Sequence, residues 1–428
     1  MEKSAAPAVT EAAAQYRWAI LALAFTSQFT ATLAAQSVPP LAPIFQSELG
    51  LSKLEIGLFS SAVFVGSWMV LLWAGYLTER FGVRKMMTLG QVVAGCVMLT
   101  MAVVGSFLQA VLVMLVVGLC RGLVHPGASK AVMDWFPARE RATAMGVKQS
   151  GYPVAGIILG ATLPALALAL GWRYAVALVG LLIMSGGIVT LAVYRDPNAE
   201  VTAARRETRM REGLEQLLRN RRLWALSVTA LMLVSAQLGL VAYLALYFSD
   251  VVLVPLFPDT DARIIAAGGF LALLQAGGIT GRVGWGLVSD RFLLQHRLPL
   301  MAGIGALSGL MALTMALISP GAPFWLLVAV VFVYGGSALG WNGLYQALIV
   351  ETAGQRHAAM AVGLCMTMTQ MGTISGPPLF GLIVDLSGTY QIAWLCLAGL
   401  SLGGALLGMY FSQSELRGTR SLAPIGPR

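Results

Sequence analysis

Gly75-Tyr-Leu-Thr-Glu-Arg-Phe81 and Gly286-Leu-Val-Ser-Asp-Arg-Phe292 are two copies of one seven-residue pattern. Glycine, hydroxyl, acid, arginine and phenylalanine recur position for position, at an offset of 211 residues. Each copy closes a long apolar run, at 54–77 and at 263–288. A second pair, Arg139 to Gly146 and Arg356 to Gly363, recurs at an offset of 217. Duplication of a half-length unit explains both pairs, and parallel repeats of this kind are a transporter plan.

The runs around those copies set the class. A membrane-spanning helix needs about 20 apolar residues, because roughly 30 Å of hydrocarbon is crossed at about 1.5 Å per residue. Twelve stretches qualify: 18–40, 54–77, 86–106, 109–133, 142–166, 173–194, 223–249, 263–288, 298–318, 323–349, 358–384 and 390–411. The chain has 428 residues, 57% hydrophobic and 11% charged. Soluble domains carry about 25% charge, so soluble enzymes and soluble binding proteins are excluded. The first run is about 23 residues long and precedes eleven others, so it reads as a span rather than a leader. Short alternating segments, the mark of a membrane barrel, do not occur.

The net charge of +9 is a topology signal rather than a nucleic-acid patch. Of the 28 Lys and Arg, 21 fall in one set of inter-span segments and three (Lys53, Arg173, Arg263) in the other. That bias places both termini in the cytoplasm. The expected organisation is a six-helix bundle at 1–194, a cytoplasmic linker at 195–222, a second bundle at 223–412 and a tail at 413–428. The linker's Glu and Arg spacing suits an amphipathic surface helix, with Leu214, Leu217 and Leu218 at the wet–dry boundary. Cys96, Cys120, Cys365 and Cys396 all fall within spans and read as small buried hydrophobes. No P-loop, H-E-x-x-H or G-x-S-x-G is present, so no enzymatic activity is expected.

The loop Gly75-Tyr-Leu-Thr-Glu-Arg-Phe-Gly-Val-Arg-Lys85 resembles the signature between spans two and three of the major facilitator superfamily. Glu79 stands where that superfamily usually has Asp. The resemblance covers the whole chain, and it implies an all-α membrane protein of twelve helices in two pseudo-symmetric six-helix bundles. It implies a gating latch formed by Gly75, Glu79, Arg80, Gly82 and Arg84, repeated at Gly286, Asp290 and Arg291. Gly75 would permit close helix approach, and Glu79 would suit a helix N-terminus or an arginine. The alternative is that these charges only fix topology.

Four cations fall inside spans: Arg121, Lys130, Lys148 and Arg282. Each costs about 2.5–3.5 kcal/mol at mid-membrane on the insertion scale. No Asp or Glu lies in the middle of any span. An interior lined by these cations is electropositive, and an anionic substrate is the simplest partner. Arg282, four residues before Gly286, is the principal candidate, since guanidinium forks onto carboxylate. Its position is similar to that of the carboxylate-binding Arg in the superfamily's oxalate and monocarboxylate branch. The competing reading bonds Arg282 to helix carbonyls and to Gln275.

Trp341 and Tyr345, spaced i and i+4, resemble the aromatic pair that walls the anion in that branch, with Asn342 beside them. A packing role is the alternative. Gln28, Gln36, Gln237, Tyr243 and Gln370 extend the possible lining. Arg121 and His125 share a face of span four. In the superfamily's antiporters a span-four Arg is linked to proton coupling, and His titrates near neutral pH; a structural role is the alternative. Pro126 would kink that span and free carbonyls for Arg121. Lys148 and Lys130 read as snorkelling. Span five, Gly146 to Gly160, is a loose version of the Gly/Pro-rich motif of drug antiporters.

The expected function is therefore movement of a small organic anion, a mono- or dicarboxylate, across a bacterial-type inner membrane by alternating access. The expected partners are that anion, the bilayer and, for coupling, a proton. No metal, cofactor or nucleic acid is expected, and the chain is expected to be monomeric. The rivals are a proton-coupled multidrug exporter, which normally wants a membrane acid, and an inorganic-anion porter of the nitrate or cyanate kind.

Overall fold

The computed structural model describes residues 11–137, 140–196, 219–292, 297–353 and 358–420. Those residues are almost wholly helical. The helices are α1 (Glu11–Leu49), α2 (Lys53–Phe81), α3 (Val83–Leu99), α4 (Phe107–Trp135), α5 (Arg141–Gln149), α6 (Gly151–Leu170) and α7 (Trp172–Val193). After the linker come α8 (Arg221–Tyr247), α9 (Thr260–Phe292), α10 (Arg297–Leu317), α11 (Phe324–Ala338), α12 (Asn342–Ala353), α13 (Ala358–Ser387) and α14 (Tyr390–Arg420). Most of the linker expected at 195–222, with Leu214, Leu217 and Leu218, lies outside the described residues, as do Arg139 and Arg356. Helix α14 continues to Arg420, beyond the expected span end.

Among the described residues, eleven segments are long and apolar enough to cross a membrane. The expected span at 358–384 is a 30-residue helix, but it is not among the eleven. Thr367, Thr369, Gln370, Thr373, Pro377 and Pro378 dilute its apolar content. It is sheltered by protein instead: Gly372 and Gly376 press against α8, and Gly381 against the start of α2.

Two expected spans are interrupted. Span five divides into α5 and α6 at Ser150. Pro153 lacks the N–H that would bond the Gln149 carbonyl, and Gly151 meets the α1 backbone at Phe25. Span ten divides into α11 and α12 at Leu339–Trp341. Here α9 and α11 touch backbone to backbone: a Cβ on Gly281 would lie 2.1 Å from the Gly336 carbonyl, and one on Gly335 2.0 Å from that of Leu274. Only glycine permits this approach.

Helices α1–α7 pack among themselves (α2 on α4, α3 on α7), as do α8–α14 (α10 on α14, α8 on α13). The two sets meet along α2 with α13, α6 with α9, and α1 with α8. At the Lys53 end they are bonded together. Asp385 accepts from the backbone N–H of Lys53 (3.1 Å) and Leu54 (2.7 Å). The Lys53 ammonium donates to Asp250 and, at 2.6 Å, to Gln46. Tyr390 also donates to Asp250 at 2.7 Å, and the Tyr243 hydroxyl donates to the Lys53 carbonyl.

The Arg84 end is spread. A Cβ on Gly75, Gly146, Gly286 or Gly363 would meet nothing within 4 Å. The expectation that Gly75 marks a close helix approach is therefore not met in this conformation. Among the described residues the close approaches between the sets lie further toward the Lys53 end, at Gly57 with Pro377 and at Gly160 with Gly268.

Candidate functional site

The interrupted span ten frees carbonyls, and side chains from neighbouring helices take them up. Arg282 Nε donates to Leu339 O at 3.0 Å, Trp285 Nε1 to Gly336 O at 2.9 Å, and Asn342 Nδ2 to Leu339 O at 3.2 Å. Non-helical backbone inside a membrane protein is tolerated where such partners exist. Arg282 thus bonds a helix carbonyl, but Gln275 is not its partner: both amide atoms of Gln275 are buried without one. The Nη groups of Arg282 have no protein partner among the described residues, so the fork that would hold an anion is free.

Trp341 and Tyr345 lie side by side with ring centroids 5.6 Å apart. Both are buried, with polar atoms bonded to backbone: Trp341 Nε1 to Ala338 O at 2.9 Å and Tyr345 Oη to Cys365 O at 3.4 Å. Asn342 also donates to Gln237 at 3.3 Å, which ties α12 to α8. Gln36 reaches toward α6, donating to the Tyr152 carbonyl at 3.4 Å. Gln28 bonds within its own helix, to Thr32, and Gln370 is half-buried on α13. Tyr243 sits apart from this group, in the seal at the Lys53 end, stacked on Phe380.

The other interior cations behave unequally. Arg121 is 7% exposed and donates to Ser67 Oγ at 3.1 Å. It lies over the Phe64 ring, and its Nε has no partner. The expected hold by carbonyls freed at Pro126 does not occur: α4 runs unbroken past Pro126, and the neighbouring helix α2 offers Ser67 instead. Lys148 is 3% exposed and donates to Ser129 Oγ at 2.7 Å, so it faces inward rather than snorkelling. Lys130 pairs with Asp134 one turn on, at 3.0 Å. His125 lies within electrostatic reach of Arg121 and Lys148. Cys120 and Cys365 are buried as expected, whereas Cys96 and Cys396 are exposed on the outer surface of the helices.

The sequence reading passed over Tyr152 and Gln275 as site residues. Tyr152, at the start of α6, lies within electrostatic reach of both Arg121 and Arg282. Gln275 lies two turns from Arg282 on the same face of α9. A Cβ on Gly156 would come 2.6 Å from Gln36 Nε2 and 2.7 Å from Gln275 Cδ. Glycine at 156 is thus what lets α1, α6 and α9 converge.

The signature copies occupy the Arg84 end. Gly82 adopts φ +87°, which a side chain rarely tolerates, and turns α2 into α3. Asp196 caps α3 there, accepting from Val83 N (2.9 Å) and Arg84 N (3.4 Å). Arg84 in turn donates twice to Leu191 O, at 3.0 and 2.5 Å. Arg80 donates to Tyr76 at 3.4 Å. The side chain of Glu79 lies outside the described residues. In the second copy, Asp290 pairs with Arg297 at 3.0 Å, and Arg297 pairs with Glu351 at 2.7 Å. Arg291 is exposed, and Gly286 faces open space.

The family model described as Major Facilitator Superfamily matches residues 24–369. The chain belongs to the Major Facilitator Superfamily. It is 25% identical over 381 residues to the hexuronate transporter of Bacillus subtilis, covering 85% of this chain and 87% of that one. It is 23% identical over 414 residues to the probable sulfoacetate transporter SauU of Cupriavidus necator, covering 92% of each. The quinolone resistance protein NorA of Staphylococcus aureus is 23% identical over 370 residues, with 85% of this chain and 90% of that one covered. Among solved structures, a bacterial homologue of the human lysosomal transporter Spinster, inward-facing and unoccupied, superposes with TM-score 0.69 at 16% identity, covering 92% and 95% of the two chains.

Proposed function

We propose that this superfamily member carries a small organic anion, a mono- or dicarboxylate, across a bacterial-type cytoplasmic membrane by alternating access. One observation carries the reading. Arg282 enters the interior with only its Nε engaged, on the Leu339 carbonyl, and no carboxylate offsets it among the described residues. An anion between the helix sets would take the free edge of the guanidinium, with Trp341, Tyr345 and Asn342 shaping the wall and Gln36, Gln237 and Gln370 as further polar contacts. The names of two relatives, a hexuronate and a sulfoacetate transporter, agree with an anionic cargo.

The basic bias of the inter-span segments assigns the Arg84 end to the cytoplasm, so the sealed Lys53 end faces outward and the conformation is inward-open. The two six-helix bundles, 1–194 and 223–412, would rock about the bound anion while the signature residues close the Arg84 end in the opposite state. Arg121 and His125 are the coupling candidates, His125 being the group able to carry a proton.

The similarity to NorA favours a second reading, a multidrug exporter. The interior supports the anion reading: lipophilic cations want an acid there, and the described interior has cations. Thermal-shift screening of the purified protein against carboxylates, sulfonates, nitrate and lipophilic cations tests both. Carboxylates are expected to stabilise the wild type and not Arg282→Ala. Stabilisation by lipophilic cations alone would overturn the anion reading.

A further inference from the structure

The junction of α1, α6 and α9 holds a polar side chain that anion binding leaves unused. Gln275 is 0% exposed, and neither its amide oxygen nor its amide nitrogen has a partner among the described residues. Gly156 of α6 brings the neighbours in: a Cβ there would lie 2.7 Å from Gln275 Cδ and 2.6 Å from Gln36 Nε2. Gln36 comes to the same point but is turned away, donating to the Tyr152 carbonyl at 3.4 Å. Toward the Lys53 end, α6 and α9 touch backbone to backbone, where a Cβ on Gly268 would lie 2.5 Å from the Gly160 carbonyl. Toward the Arg84 end the contact lapses, with Thr280 exposed and Arg282 half-buried. Gln275 therefore marks the inner limit of the outer closure. It belongs to one helix set, and Gly156 and Gln36 belong to the other.

Packing does not call for an amide here. The close approach is made by Gly160, Gly268 and Ala272, and an apolar side chain of the same length would fill the space of Gln275. An amide brings two donors and an acceptor. Burying it unpaired is more unfavourable than a typical hydrogen bond is favourable. That penalty belongs to this conformation. It ends when α6 and α9 part at Gly160 and Gly156, because the amide then faces an outer cavity and its water.

From this we infer that Gln275 is a restoring element of the transport cycle: an amide left unpaired while the Lys53 end is closed, which drives that end to reopen. This role rests on alternating access and not on the nature of the cargo. It opposes the bonds of Lys53, Asp250 and Asp385, which favour closure. A two-state equilibrium moves only by the difference a group makes between the states, and a carrier held too firmly in one state does not turn over. Gln275 offsets the hold of the seal without weakening any bond within it.

The test is pulsed dipolar spectroscopy on the purified full chain in nanodiscs, with the four cysteines replaced. Spin labels at Val103 and Leu317, exposed on opposite helix sets at the Lys53 end, report its opening. Gln275→Met removes the amide at similar length, and Gln275→Glu puts a more strongly hydrated group in its place. Both are read in the wild-type and Asp385→Ala backgrounds, the second of which loosens the seal. Gln275→Met is expected to lower the outer-open share about tenfold, equivalent to about 1.4 kcal/mol. Gln275→Glu is expected to raise it severalfold. A side chain that only fills space would not move the two variants in opposite directions. Shares that stay put, or move the same way in both variants, overturn the inference while the two-state reading stands. An outer end that stays closed in the wild type, Asp385→Ala and Gln275→Glu alike overturns both. Where Gln275→Glu does not fold, the comparison of Asp385→Ala with and without Gln275→Met decides the matter.

Discussion

Asp385 holds the Lys53 end closed through the backbone, and its removal has a calculable effect. Its carboxylate accepts two N–H groups at the first turn of α2, at 3.1 and 2.7 Å. This is a helix N-terminus capped from the other helix set, so the bonds exist only while the sets are together. A hydrogen bond to a charged group contributes about 1.5–3 kcal/mol. Asp385 is exposed, and water takes over the freed groups on opening, so the low end applies, about 1.5–2 kcal/mol for the pair together. At 1.4 kcal/mol per tenfold, Asp385→Ala moves the closed-to-open ratio of this end by about 10- to 30-fold. Spin labels at Val103 and Leu317, both strongly exposed and on opposite helix sets at this end, report the separation. The background replaces the four cysteines. Pulsed dipolar spectroscopy should show a longer-distance population growing by that factor. Identical distance distributions for wild type and Asp385→Ala would refute the reasoning, because the seal would then rest on apolar packing alone.

Other expectations can be checked together. Arg282→Lys keeps the charge but loses the fork, and substrate affinity by calorimetry should fall tenfold or more. Gln275→Leu replaces a buried amide with no partner by an apolar side chain of similar size, and should raise stability by about 1 kcal/mol. A fall in melting temperature would show that the amide is satisfied in a way the geometry does not reveal. Gly281→Val drives a side chain into the Gly336 carbonyl, 2.1 Å from the Cβ position, and should lower the melting temperature and carbonyl-anchored Arg282 binding together. Gly75→Ala meets open space in this conformation, and its stability should stay within about 0.5 kcal/mol of wild type.

The helix plan was legible because membrane thickness forces long apolar runs and because the seven-residue pattern at Gly75 recurs at Gly286. The one misfit is α13: 358–384 reads as an apolar run in the sequence, yet its threonines, Gln370 and paired prolines leave it outside the segments apolar enough to cross a membrane. Lys148 was misread because composition cannot say whether a cation near a span end points along the helix or across it; Ser129 on the adjacent helix decides that. Gly75 was misread because a signature describes both states of a moving protein and coordinates describe one. The seal of Lys53, Asp250, Asp385 and Tyr390 was invisible in the sequence. The other three lie 197 to 337 residues beyond Lys53 along the chain, and each alone is an ordinary charge or ring at a span end. Tyr152 and Gln275 were overlooked for the same reason: their interest lies in what converges on them.

The modest apolarity of α13 bears on how the protein is made. A helix carrying Gln370, three threonines and paired prolines enters a bilayer poorly by itself, so it depends on neighbours already in place. Those neighbours are α8, from its own half, and α2, synthesised some 280 residues earlier. The second half is therefore not an independent insertion unit. Expressed without residues 1–196, it should leave α13 exposed to surveillance by membrane proteases, and co-expression of the first half as a separate chain should restore it.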